Sequence, residues 1–103
     1  MTEDLTRWTI QVSSDLETIV PDYLENRRKD VATLFGMLGR GEYDTMRMLG
    51  HRMKGSGAGY GFDAISHLGE RLERASREAC HAELASCVAE LESYLDRIDI
   101  VYV

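Results

Sequence analysis

The sequence predicts an all-α fold: an antiparallel four-helix bundle behind a short N-terminal arm. Three observations carry that reading. Four stretches place apolar residues at helical spacing, and the connections between them are short and marked by glycine. The composition, with one proline and 8% aromatic residues, leans toward helix over sheet. Four amphipathic helices joined by short connections pack as an antiparallel bundle.

Residues 1–12 form the arm. Within it Trp8-Thr9-Ile10-Gln11-Val12 alternates and is β-branched, so it reads as an extended arm or a short strand. No second strand is evident, so the arm is expected to lie on the bundle. Ser13-Ser14-Asp15 reads as the cap of a short turn, with Glu17 in capping-box position relative to Ser14.

The bundle spans about residues 21–100. Pro21 suits the first turn of a helix, where its missing N–H costs nothing. Leu24, Val31, Leu34, Phe35 and Leu38 follow at helical spacing, and Gly39-Arg40-Gly41 ends the run. A second helix covers about Glu42 to Ser56 and stops in the glycine-rich stretch 55–61. A third covers about Phe62 to Ala79, with Ile65, Leu68, Leu72 and Ala75 on one stripe. The fourth covers about Ala82 to Ile100, and Leu84, Val88, Leu91, Leu95 and Ile98 step by four and three along its seam.

The chain of 103 residues reads as one domain. Hydrophobic residues at 44% and charged residues at 29% are ordinary for a globular protein. The net charge of −6 argues against a nucleic-acid partner, whose phosphates are neutralised by Lys and Arg. No run approaches the ~20 apolar residues of a membrane helix. Met1-Thr2-Glu3-Asp4 opens acidic where a secretory signal opens basic, so the cytoplasm is the expected compartment. Cys80 and Cys87 are expected to be reduced and partly buried. An acidic single bundle is expected to be a monomer.

One stretch is unlike core or ordinary surface: Gly50-His51-Arg52-Met53-Lys54-Gly55-Ser56-Gly57. On a helical wheel Met46, Leu49 and Met53 fall within about a sixth of a turn and define the buried stripe. His51 then points roughly 150° away, toward solvent. Lys54 lies one turn on, and Gly55 sits at i+4 from the imidazole. A neutral imidazole nitrogen is a good nucleophile near neutral pH. A neighbouring lysine offsets the charge of a phosphoryl group. Glycine in a last helical turn costs about 1 kcal/mol relative to alanine, which suggests that a docking surface approaches the backbone there. Taken singly, each residue also has a plainer reading: His51 as surface, Lys54 as solvated face, Gly55 as a cap.

Other chemistries do not fit. Ser56 stands where a P-loop needs lysine, and the loop follows a helix instead of a strand. Tyr60 and Phe62 fall where a dinucleotide fingerprint needs its third glycine. His51, His67 and His81 include no i,i+4 pair, so no metal site is expected.

The run His51-Arg52-Met53-Lys54-Gly55-Ser56, with Gly61 and Leu68-Gly69-Glu70-Arg71-Leu72-Glu73 after it, resembles the signature of the histidine phosphotransfer (HPt) family. Residues 20–30 also look like the first helix of such modules, so the resemblance spans about 13–100. It implies that His51 is the phosphoacceptor, taking a phosphoryl group from an aspartyl phosphate of a receiver domain and relaying it to another. It implies Lys54 beside the phosphoryl oxygens, Gly55 as the small position under the docked receiver, Ser56 as a polar position ending the helix, and Gly61 at the next turn. The implied partners are a response-regulator receiver domain and a hybrid histidine kinase. No cofactor is implied on this chain; Mg²⁺ is expected on the receiver. A carrier of this kind has no catalytic activity of its own.

The sequence departs from the resemblance at Glu73, where family members often carry a glutamine that bonds the phosphoryl group. An ionised carboxylate cannot donate to phosphate oxygens. Glu73 either orients the imidazole, as acids do for catalytic histidines, or faces solvent. Two rivals remain: a helical adaptor that binds signalling partners without phosphotransfer, and a small phosphatase, which would need a water-activating group near His51 that is not visible.

Overall fold

The structure is a computed structural model and describes residues 6–103; the first five positions of the expected arm lie outside the described residues. Four helices carry the fold: α1 (Val20–Arg40), α2 (Tyr43–Ser56), α3 (Asp63–Arg77) and α4 (His81–Arg97). Two strands flank them, β1 (Trp8–Val12) and β2 (Ile98–Tyr102).

Local chemistry sets the helix limits. Pro21 occupies the first turn of α1, and Gly41 closes it in the left-handed region at φ 67°, its N–H bonding the Leu38 carbonyl. Only glycine takes that conformation at no steric cost. A 3-10 turn over Ala58–Tyr60 follows α2 and ends at Gly61, again left-handed at φ 95°.

The expected stripes meet in one core. Leu34, Met46, Ile65, Leu72, Leu84, Val88 and Leu91 are fully buried. Phe35 is the exception. It is 41% exposed, while Met37 is buried. The buried stripe of α1 is rotated toward Met37, which leaves Phe35 on its margin. Leu49 is only half-buried and packs against the edge of the core. Between α3 and α4, Arg71 donates to both Glu83 and Glu90 at 2.8 Å.

The chain ends differ from expectation. The fourth helix stops at Arg97 rather than near Ile100, and Ile98 to Tyr102 pairs in parallel with Trp8 to Val12 in the register Trp8↔Ile98 to Val12↔Tyr102. The arm therefore has the strand partner that the sequence did not reveal. The reason lies in Ile98-Asp99-Ile100-Val101-Tyr102, a β-branched alternation that buries Ile98 and exposes Asp99. Arg7 clamps the pair, donating to both carboxylate oxygens of Asp99 at 2.8 and 2.9 Å, and Trp8 stacks on Tyr94 of α4. At the turn after β1 the cap is Ser13, not Ser14: its hydroxyl accepts from the Asp15 N–H, and no hydrogen bond from Glu17 closes a capping box. The third helix ends at Arg77, two residues early, and the chain reverses through Ala79 at φ 52°.

Candidate functional site

The site lies where α2 and α3 run closest together. Glycine permits that approach. A Cβ placed on Gly50 would come within 2.8 Å of the Glu73 nitrogen and the Gly69 carbonyl oxygen, and one on Gly69 within 2.6 Å of the Gly50 carbonyl oxygen. With Met46 and Met53 buried on the same side of α2, the helix cannot roll. His51 is left projecting outward, its side chain 73% exposed.

The other helix supplies its partner. Glu73 lies opposite, and its Oε2 is 2.8 Å from His51 Nδ1. Lys54 Nζ approaches the second carboxylate oxygen at 3.6 Å, and Arg77 approaches Oε2 at 3.7 Å. The Glu73 carboxyl is held below its ordinary range, first by the hydrogen bond from His51 and then by the positive charges of Lys54 and Arg77, against an opposing desolvation. Glu73 is therefore ionised at neutral pH and can only accept. The proton of a neutral imidazole then sits on Nδ1. The lone pair is on Nε2, which has no hydrogen-bond partner among the described residues.

Of the sequence-derived residues, the structure brings together His51, Lys54 and Glu73. Glu73 does not face solvent alone, so of the two readings left open for it, the orienting one matches the geometry. Gly55 lies one turn beyond His51, exposed, with nothing within 4 Å of where a Cβ would stand. Its bareness answers to no neighbour among the described residues. Ser56 turns away from this group. As the last residue of α2 it exchanges a 2.8 Å hydrogen bond with the Tyr23 hydroxyl of α1, and Tyr23 stacks on Tyr60 with centroids 4.0 Å apart. Sequence reasoning missed Arg77 and the close-packing role of Gly50 and Gly69. The i,i+4 spacing of Glu73 and Arg77 was the available signal.

Elsewhere, a groove of about 810 Å³ lies between β1, α3 and α4, lined by Trp8, Ala64, Leu68 and Tyr94 among others. It is on the face of α3 opposite Glu73 and contains none of the site residues. Among the described residues no three His, Cys, Asp or Glu side chains group as a metal site. No helix there is long and apolar enough to cross a membrane.

A family model for the Hpt domain matches residues 14–100, which takes in all four helices. The chain belongs to the Hpt domain family. No curated protein and no solved structure matches it. Hpt domains are phosphocarrier modules of two-component phosphorelays and interact there with receiver domains and histidine kinases. The helical bundle is the fold expected of an Hpt domain.

Proposed function

We propose that this Hpt domain carries the phosphoryl group on His51, taking it from the aspartyl phosphate of one receiver domain and yielding it to another. The observation that carries the reading is the His51–Glu73 hydrogen bond, which reserves Nδ1 and leaves Nε2 free on an exposed helix face.

In the step proposed, the Nε2 lone pair forms the N–P bond as the P–O bond to the aspartate breaks. The electron pair of that bond leaves with the carboxylate. Nδ1 keeps its proton, so the ring becomes positively charged on phosphorylation, and ionised Glu73 stabilises that charge at hydrogen-bond distance. Lys54, with its side chain half exposed one turn from His51, offsets the charge of the phosphoryl oxygens. Gly55 leaves the space in which a receiver surface seats over His51. Metal and in-line geometry are left to the receiver, which would bring Asp and Mg²⁺. The chain itself binds no cofactor in this scheme and turns nothing over alone, as a monomer in the cytoplasm. A hybrid histidine kinase and a separate response regulator are the fitting donor and acceptor.

The test is phosphoryl acceptance from a phosphorylated receiver domain, with His51→Gln beside the wild type. Acid-labile, alkali-stable label on the wild type alone is the expected outcome. Equal labelling of the two would remove His51 as the carrier. Tight receiver binding without label would favour the adaptor reading instead.

A further inference from the structure

Glu73 is the hub of the site, since one carboxylate accepts from His51 and faces two cationic side chains, Lys54 and Arg77. The directions of the helices decide how those cations are arranged around His51. Gly50 faces both Gly69 and Glu73, while Met53 lies against Gly69. Rising numbers on α2 therefore meet falling numbers on α3, and the two helices are antiparallel. Lys54 is one turn beyond His51 on α2, and Arg77 is one turn beyond Glu73 on α3. Along the helix axes these steps go opposite ways. The His51–Glu73 pair is thus bracketed, with Lys54 on one side and Arg77 on the other.

A carboxylate beside a phosphohistidine poses an electrostatic difficulty. It favours the positive ring but repels the phosphoryl oxygens. Lys54 alone cannot offset both the carboxylate and the incoming group. We propose, building on the reading of His51 as phosphoacceptor, that Arg77 is a positioning residue for phosphotransfer. It holds Glu73 against Nδ1 and neutralises its charge, which frees Lys54 for the phosphoryl oxygens. Its side chain is 59% exposed and reaches Glu73 at 3.7 Å without burying itself, so its contribution is electrostatic. Arg74, also on α3, lies nearly a full quarter turn off this line and makes no ion pair with Glu73.

The test is a double-mutant cycle read in the rate of phosphoryl acceptance from a phosphorylated receiver. Arg77→Ala should slow acceptance about three- to fivefold, the scale reached by exposed charge pairs. In a Glu73→Gln background the same change should matter less than about twofold, because the charge it answers is gone. Arg77→Lys should restore most of the rate, and raising salt should narrow the gap between wild type and Arg77→Ala. Equal slowing in both backgrounds, or no rescue by lysine, would mean that Arg77 acts through the fold and would overturn the proposal. So would an unchanged rate in Arg77→Ala. A wild type that accepts no label at all would instead overturn the reading of His51 on which this rests.

Discussion

Gly50 of α2 and Gly69 of α3 meet backbone to backbone, and the 2.8 Å pairing of His51 with Glu73 depends on that meeting. The distance between the helices at this point leaves room for hydrogen but not for a methyl group. A methyl on Gly50 would strike the Glu73 nitrogen, the Gly69 oxygen and the Leu72 Cβ, none of which is a flexible tip. Gly50→Ala should therefore cost about 1–3 kcal/mol, as overpacking does, and should also slow phosphoryl acceptance by separating His51 from its partner. Urea unfolding checks the first part. An unchanged midpoint would mean that the helices are not in such contact.

Gly55 is the contrasting case, since nothing among the described residues fills the space above it. Gly55→Gln should leave the unfolding free energy unchanged or raise it, by up to about 1 kcal/mol from helix propensity. Transfer from a receiver should nevertheless slow by about tenfold, the effect of roughly 1.4 kcal/mol of steric misfit. Unaltered transfer kinetics would remove Gly55 from the docking surface.

The pH dependence of stability has a definite sign. The Glu73, Glu83 and Asp99 carboxyls are each held below their ordinary range, foremost by hydrogen bonds from His51, Arg71 and Arg7 respectively. A depressed carboxyl stabilises the fold while ionised, fully above its ordinary pKa, and that stability is lost as pH falls through the folded value. The melting temperature should decline as the solution is acidified below about pH 4.5, the ordinary range of such groups. Glu73→Gln should decline less steeply than the wild type, because one of the three contributions is gone. Parallel curves would show that the Glu73 contact is not formed in solution.

The two cysteines should differ in reactivity. Cys87 is fully buried, and burial foremost pushes its thiol up to about 11, whereas Cys80 is exposed at the start of α4. The thiolate is the reactive form. Iodoacetamide near neutral pH should label Cys80 in the native protein and reach Cys87 only after denaturation. Rapid labelling of both would contradict the packing of α4.

What the sequence disclosed follows a physical line. Helical stripes are local, so α1 to α4 were legible, and the wheel placed His51 outward from the positions of Met46, Leu49 and Met53, although Leu49 is only half-buried. Phe35 misled because spacing fixes a stripe but not its centre, which Met37 shifts. Ile98 misled more seriously: it completes the seam of α4 and also opens a β-branched alternation, so either period fits. The deciding contact is with Trp8, at the far end of the chain. The bond between His51 and Glu73 was hidden for the same reason. Two positions on different helices come opposite each other only once their axial register is known, and Gly50 and Gly69 set that register without any periodic signal. Glu73 could be singled out by resemblance, but its role could not. Arg77 pairs with Glu73 along its own helix, but that local spacing gains meaning only once Glu73 is known to face His51, and Arg77 was not singled out at all.

The parallel pairing of β1 and β2 has a mechanical consequence. Because the strands run the same way, a pull applied at Trp8 and at Val103 acts on opposite ends of the ladder and shears it, so that its hydrogen bonds bear the load together. A pull at Trp8 and Ile98 acts on the same end and peels the bonds apart one after another. Tethers at the first pair of positions should hold to a higher rupture force than tethers at the second. The strand pair then works as a clasp, keeping tension on the chain from reaching the helices that hold His51 and Glu73 in register.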